Sequence, residues 1–384
     1  MTTESGQTRA EFLRRSGAMA GLLATGGGLA AARAGSAWAR ADAAALAFVG
    51  WQGYDGTPSS TFPDLTDWQH RSGISINATY IDNNPQIITK VQASPPGTYD
   101  LCTPIHTIVP SMAAAGLLEP ISVRKLHNWP SLQKLIRSLK YLHSKSGTVY
   151  SVPLGFGYTT FPMYNTALLK ASPKSWNDLL TRKYRGRYAL NDLPENLTWI
   201  ARTLGFGHPD PHHITRAELA KCQAFAAKLV KNAKTVSATY GDLLQLFVTK
   251  EIVLSVDGTP DIVDKAKTQG VSLRKWFPRE GGAGAYMDNF AIPKGSHNFD
   301  AALSWIDQMI SARTNAELAT VYGGAPTNAK STPFLPASLR ARYPFRNIAV
   351  FFKQTPVYPP QPTNSRIFAT YSDWVNAWTA AKQG

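Results

Sequence analysis

Tyr286 and Asp288 stand two residues apart in the stretch YMDNFAIPKG (286–295). This stretch reads as a short strand stopped by a Pro-Lys-Gly turn. Residues two apart on a strand share a face, so the ring and the carboxylate point the same way. An aromatic face beside an acid is what a site for an organic cation needs: the ring attracts the cation and the carboxylate pairs with it. The same two residues also suit ordinary core packing and a solvated strand end, and taken alone they leave both readings open. The turn is followed by an amphipathic helix, predicted over 298–312 from Ala301, Ala302, Trp305, Ile306 and Met309 at helical spacing.

A second pair of acids, Asp192 and Glu195, follows the strand-like RYAL and opens a helix predicted over 194–204. Their spacing fits a capping box, with Asp192 as N-cap, Pro194 in the first turn and Glu195 at the third helical position. Capping leaves one carboxylate oxygen free, so it is compatible with ligand binding. Acid pairs also serve hydrolases, as Asp192 with Glu195 or Asp257 with Asp288 would here. That class lacks support from a G-x-S-x-G nucleophile motif or from a Cys-x-x-Cys or His-Glu-x-x-His cluster, and a ferric-iron receptor, a separate alternative, would want adjacent tyrosines, which this sequence does not have. No catalytic residue, metal or cofactor is therefore expected.

The elements that must position these residues alternate. LAFVGW (46–51) reads as a strand, 62–72 as a helix, ISINATYI (74–81) as a strand and 85–93 as the start of a helix. A βαβα order implies a mostly parallel sheet with helices on both faces. A second α/β region runs from 159 to about 276, after which the Asp288 strand returns to the first, and a terminal helix is predicted over 373–381. Two α/β lobes joined by crossing strands enclose a cleft. Open α/β sheets bind ligands outside the carboxyl ends of their strands, and both lobes direct those ends at the cleft. The expected fold class is α/β, with residues 43–155 plus 287–335 in the first lobe and 156–286 plus 336–384 in the second.

The chain has 384 residues, 43% hydrophobic and 17% charged, which describes a globular protein long enough for two cores. Its first 39 residues read as an export leader. Arg14 and Arg15 precede a weakly apolar stretch, and Ala37-Trp38-Ala39 offers a cleavage site near Ala39. TRAEFLR (8–14) is similar to a twin-arginine motif with Ala10 in place of the second arginine, and the Sec route stays open. Without a cysteine at the cleavage point, a soluble periplasmic protein is expected. Cys102 and Cys222 fall in different lobes, so two buried thiols are expected. The formal charge is +15, but its lysines and arginines are scattered without a nucleic-acid signature, so no nucleic-acid partner is expected.

AYMDNFAIPKG, its following helix and the later GGAPTN (323–328) resemble the second half of bacterial solute-binding proteins for polyamine importers. The first half resembles the same family in the same order, through FVGWQGYDG (48–56), YDLCTP (99–104), MAAAGLLEPI (112–121), VYSVPLGFGYTTFPMYN (149–165), SWNDLLTRKYRGRYALNDLPEN (175–196) and KEIVLSVDG (250–258). The resemblance implies the two-lobe, type II periplasmic binding protein fold with hinge-crossing strands. It also implies an amine ligand of the putrescine or spermidine kind, delivered by a monomer to the permease of an ABC importer. It places ligand-facing aromatics at Trp51, Tyr54 and Tyr286, and amine-binding acids at Asp288, Asp192 and Glu195.

The chain departs from the family in three places. Gly258, beside Asp257, stands where the family has a tryptophan. His106, Thr107 or Ile108 replaces a tyrosine, and Gly323-Gly324 replaces another, with Tyr322 adjacent. Lost rings widen the pocket, and Asp257 adds a third acid. A zwitterion, an opine or a thiamine-like ligand is therefore the alternative to a polyamine, with His106 and Arg202 as candidates for a ligand carboxylate.

Overall fold

The computed structural model describes residues 44–81, 83–144 and 146–383. The leader and its cleavage at Ala39 lie outside them.

The first strand, β1 (Ala45–Gly50), buries Leu46, Phe48 and Val49 and is followed by α1 (Pro63–Ser72) and β2 (Ser75–Tyr80). Helix α2 (Pro85–Ala93) and β3 (Leu101–Cys102) complete the predicted βαβα run, and β2-β1-β3 form a parallel sheet. The crossing strand β4 (Val152–Tyr158) is almost wholly buried. Its glycines give bulky rings room on the strand: a Cβ at Gly157 would lie 2.7 Å from the Tyr286 hydroxyl, and the Tyr322 ring occupies the corresponding space at Gly155.

The second half opens with β5 (Met163–Asn165) and β6 (Tyr188–Asn191), then α3 (Asn196–Thr203). Helix α4 (Arg216–Asn232) is started by a capping box, in which Thr215 Oγ1 accepts from Glu218 N while Glu218 Oε2 accepts from Thr215 N. After β7 (Thr235–Ser237), α5 (Tyr240–Val248) starts with the same device from Thr239 and Asp242. Strands β8 (Leu254–Ser255) and β9 (Leu273–Lys275) complete a five-stranded sheet of order β7-β6-β8-β5-β9. The pairs of β6 with β7 and β8 are parallel; β5 runs antiparallel to β8 and β9.

Strand β10 (Ala285–Phe290) returns to the first half. It pairs antiparallel with β4, and single bridges join Cys102 to Ala291 and Ile105 to Asp288. The predicted 298–312 helix is shorter: α6 (Phe299–Met309) stops because Ser311 caps a new helix, α7 (Ala312–Tyr322), accepting from Thr314 N. The short β11 (Ala325–Pro326) closes the far edge of β4. The last helix, α8 (Tyr371–Gln383), packs with α4 through Trp374, Ala377 and Trp378.

Separate apolar cores lie beneath the two sheets. One holds Phe48, Leu154, Trp305 and Ile306; the other stacks Trp176 on Trp199 and adds Leu190 and Trp374. A further cluster of Phe156, Met287, Tyr343 and Phe351 packs the 337–354 segment onto the crossing strands. The fold is thus α/β with two lobes, joined where β4 and β10 cross.

Candidate binding site

Asp288 is the centre of the first-lobe half. It lies on β10 just before a register shift between Asp288 and Asn289, and it is 7% exposed. Tyr54, on the loop after β1, donates its hydroxyl to Asp288 Oδ2 at 2.7 Å. Burial raises the Asp288 carboxyl to about 7, and the Tyr54 hydrogen bond pulls it partly back. Tyr322, at the end of α7, meets Tyr54 edge-on at 5.5 Å and donates to the Ala325 carbonyl. Tyr286 is half-buried two residues before Asp288, its ring lying over Gly157. Burial, then the charge of Asp288 and neighbouring phenols, hold Tyr54, Tyr286 and Tyr322 protonated. A buried acid is thus surrounded by neutral phenol rings, and Tyr286 and Asp288 share the face that strand periodicity assigns them.

Asp257 and Glu195 form the second-lobe half. Asp257 is 3% exposed and accepts from Phe161 N at 2.7 Å and from Tyr240 Oη at 3.3 Å. Burial raises its carboxyl to about 7, and the nearby Glu195 charge adds to the rise. Tyr240, the first residue of α5, is 38% exposed although its hydroxyl is held at Asp257, so its ring forms part of an open wall. Burial also raises Glu195, whose Oε2 has no hydrogen-bond partner among the described residues. Glu195 lines a cavity of about 130 Å³ with His106, Thr107, Thr198, His212 and Gln361. The two halves sense each other: the Tyr286 phenol feels Tyr240, and Tyr240 feels both Asp257 and Glu195.

Of the other sequence candidates, His106 and Thr107 share the Glu195 cavity, and Asp192 does not. Asp192 is exposed, and its Oδ1 accepts from Trp378 Nε1 at 2.7 Å and Lys382 Nζ at 2.5 Å, tying β6 to α8. It does not line the cavity that holds Glu195. Nor does it cap a helix: α3 starts at Asn196, after Glu195, with no side-chain cap. His106 is buried, pairs with the Tyr358 carbonyl and accepts from Met287 N, and burial depresses it to about 3. Arg202 donates to the Gly282 carbonyl at 2.7 Å. Both ring nitrogens of His106 are thus engaged within the protein, whereas the Gly282 bond uses one N–H of the Arg202 guanidinium. Trp51 is half-buried and packs against the first-lobe core. Met163 occupies the space above Gly258, where the family tryptophan is missing.

Two residues of this region escaped the sequence reading. Tyr240 is the first residue of α5, directly after the Thr239 cap. Lys275 ends β9, and its Nζ lies 2.8 Å from the Tyr158 ring centroid. No local pattern signals Tyr240, whose partner Asp257 comes from another element, and for Lys275 the local hint is Phe277, two residues on.

Among the described residues no group of three or more His, Cys, Asp or Glu could hold a metal ion. The site offers buried acids and aromatic faces. An acid poised near 7 gains from a cation that replaces its proton, which is chemistry suited to binding an organic ammonium.

A solute-binding fold of two lobes around such a cleft agrees with the comparisons. The chain belongs to the bacterial extracellular solute-binding protein family, whose model matches residues 65–339. The spermidine/putrescine-binding periplasmic protein of Salmonella typhimurium is 26% identical over 311 residues, covering 79% of this chain and 82% of that protein. The putrescine-binding periplasmic protein SpuD of Pseudomonas aeruginosa is 26% identical over 383 residues, covering 93% of this chain and 96% of the relative. In structure, a putative spermidine/putrescine ABC transporter protein from Listeria monocytogenes superimposes with a TM-score of 0.73 at 20% identity, over 88% of this chain and 98% of that one.

Proposed function

We propose that this chain is the periplasmic receptor of an ABC importer for a small aliphatic amine of the putrescine or spermidine class. The observation that carries the reading is Asp288, a buried acid held by Tyr54 and surrounded by phenol rings. One ligand ammonium pairs with Asp288, and a second is drawn to Asp257 and Glu195 across the cleft. The methylene chain lies between the rings. Each charged hydrogen bond contributes about 1.5–3 kcal/mol net, and each aromatic face about 0.5–2 kcal/mol. A few such contacts suffice for micromolar affinity, about −8 kcal/mol, after association costs. The printed names of the relatives from Salmonella typhimurium and Pseudomonas aeruginosa point to the same ligand class.

Contacts split between lobes favour the closed state, so ligand binding is conformational and releases no product. We assign residues 43–155 with 287–335 to one lobe and 156–286 with 336–384 to the other, with 337–354 lying on the crossing strands. The leader is removed near Ala39, and the mature protein acts as a periplasmic monomer that docks on permease subunits.

The test is a melting series of the purified protein with putrescine, spermidine, agmatine, γ-aminobutyrate, opines and simple sugars, with Asp288→Ala alongside. A diamine-dependent rise that disappears in the variant supports the reading. A rise only with carboxylate or sugar ligands overturns it.

A further inference from the structure

Lys275 carries its amine to a position where the protein gives it no hydrogen-bond partner. Its Nζ is buried and unbonded among the described residues. Three rings enclose it, with centroids 2.8 Å away at Tyr158, 4.2 Å at Phe277 and 4.9 Å at Phe161. The nitrogen lies close enough to Asp257 for the two charges to interact. Phe161 links them directly: its ring faces Lys275 while its backbone N donates to Asp257. Rings on three sides with a carboxylate at hand are the arrangement that captures a free ammonium.

We propose that the Tyr158, Phe161 and Phe277 cage beside Asp257 is the subsite for the ligand's distal ammonium, and that Lys275 is a tethered occupant that a diamine must displace. The inference rests on the amine reading above. Lys275 is a specificity-determining residue in this scheme, because it penalises only ligands long enough to reach the cage. A monoamine held at Asp288 leaves the cage undisturbed.

Several features make Lys275 a displaceable occupant. Burial drives its amine down to about 6, so near neutral pH it is largely uncharged and gains little from the rings. A ligand ammonium meets the same burial, so it displaces Lys275 only with Asp257 ionised beside it and with its other ammonium anchored at Asp288. Lys275 is the last residue of β9, the edge strand of its sheet, and Phe277 is 69% exposed. They flank Trp276, which is buried against Trp176, so displacement is a rotation of the two side chains with the strand left in place.

The experiment compares putrescine with butylamine, which lacks the second amine, by calorimetric titration of wild type, Lys275→Ala and the double variant Lys275→Ala/Phe277→Ala. Emptying the cage is expected to raise putrescine affinity about ten-fold relative to butylamine, and removing Phe277 as well is expected to cancel that gain. Should Lys275→Ala not fold, Lys275→Ser empties the cage with a polar replacement and is expected to act in the same direction. An unchanged or lower putrescine-to-butylamine ratio in a folded variant overturns the proposal. Absence of binding by either amine, in wild type and variant alike, overturns the amine reading and this proposal with it. Butylamine binding without the ratio change overturns this proposal alone.

Discussion

Replacing Asp288 by Asn should stabilise the ligand-free protein and disable the receptor in one step. The carboxyl is raised from 3.8 to about 7 because its ionised form is buried. That is about three pH units at about 1.4 kcal/mol each, so ionised Asp288 costs the fold up to about 4 kcal/mol above pH 7. The sign follows from linkage. The folded value exceeds the unfolded one, so stability is full below about pH 4, falls as the pH rises toward 7, and then levels off. Asn keeps an acceptor for the Tyr54 hydroxyl and has no charge to bury. Calorimetric melting at pH 8 should therefore show Asp288→Asn melting a few degrees above the parent, about 2–4 kcal/mol more stable, with the gap closing at pH 4. Putrescine affinity should fall about 10- to 100-fold through loss of the charged hydrogen bond, worth about 1.5–3 kcal/mol. A variant that melts below the parent at pH 8, or that binds putrescine within three-fold of it, refutes the reasoning.

Other expectations follow from the same geometry. Asp288 and Asp257 both sit at about 7. Diamine affinity should thus rise at least ten-fold per pH unit between pH 5.5 and 6.5 and flatten above 7.5, with proton release seen as buffer-dependent binding heat; a flat profile contradicts it. Asp192→Ala removes the partner of Trp378 and Lys382. It should cost about 1–2 kcal/mol in denaturant unfolding and leave diamine affinity within two-fold, whereas a ten-fold loss would return Asp192 to the site. Cys102 and Cys222 are free and buried, and burial holds the Cys222 thiol up at about 12. Thiol titration should count none in the native protein and two after unfolding.

Local pattern carried the sequence reading as far as local physics reaches. The helix predicted over 85–93 and the early strands appear where the sequence pattern places them, because α2 buries one face through Ile87 and β1 is a short apolar run. The shared face of Tyr286 and Asp288 was legible from strand periodicity. The 298–312 helix was overrun because Ser311, a cap for the next helix, reads as a tolerable surface serine inside a continuous apolar stripe. KEIVLSVDG yields only Leu254–Ser255 as strand, since β8 has partners for just two residues. Asp192 looked like a cap or a ligand from its neighbours, but its partners are 186 and 190 residues away on α8. Tyr240 and Lys275 were invisible because a cleft is assembled by tertiary pairing. Nothing beside Tyr240 indicates that it meets Asp257, and beside Lys275 Phe277 supplies one ring of the cage while Tyr158 and Phe161 come from more than a hundred residues earlier.

The most direct measurement is calorimetric titration of the purified protein, freed of co-purified ligand by unfolding and refolding, with putrescine at pH 8. The account predicts one site per chain with micromolar or tighter affinity, and no comparable binding to Asp288→Asn. Absence of binding to putrescine and spermidine, alongside saturable binding of a ligand without an amine, would contradict it.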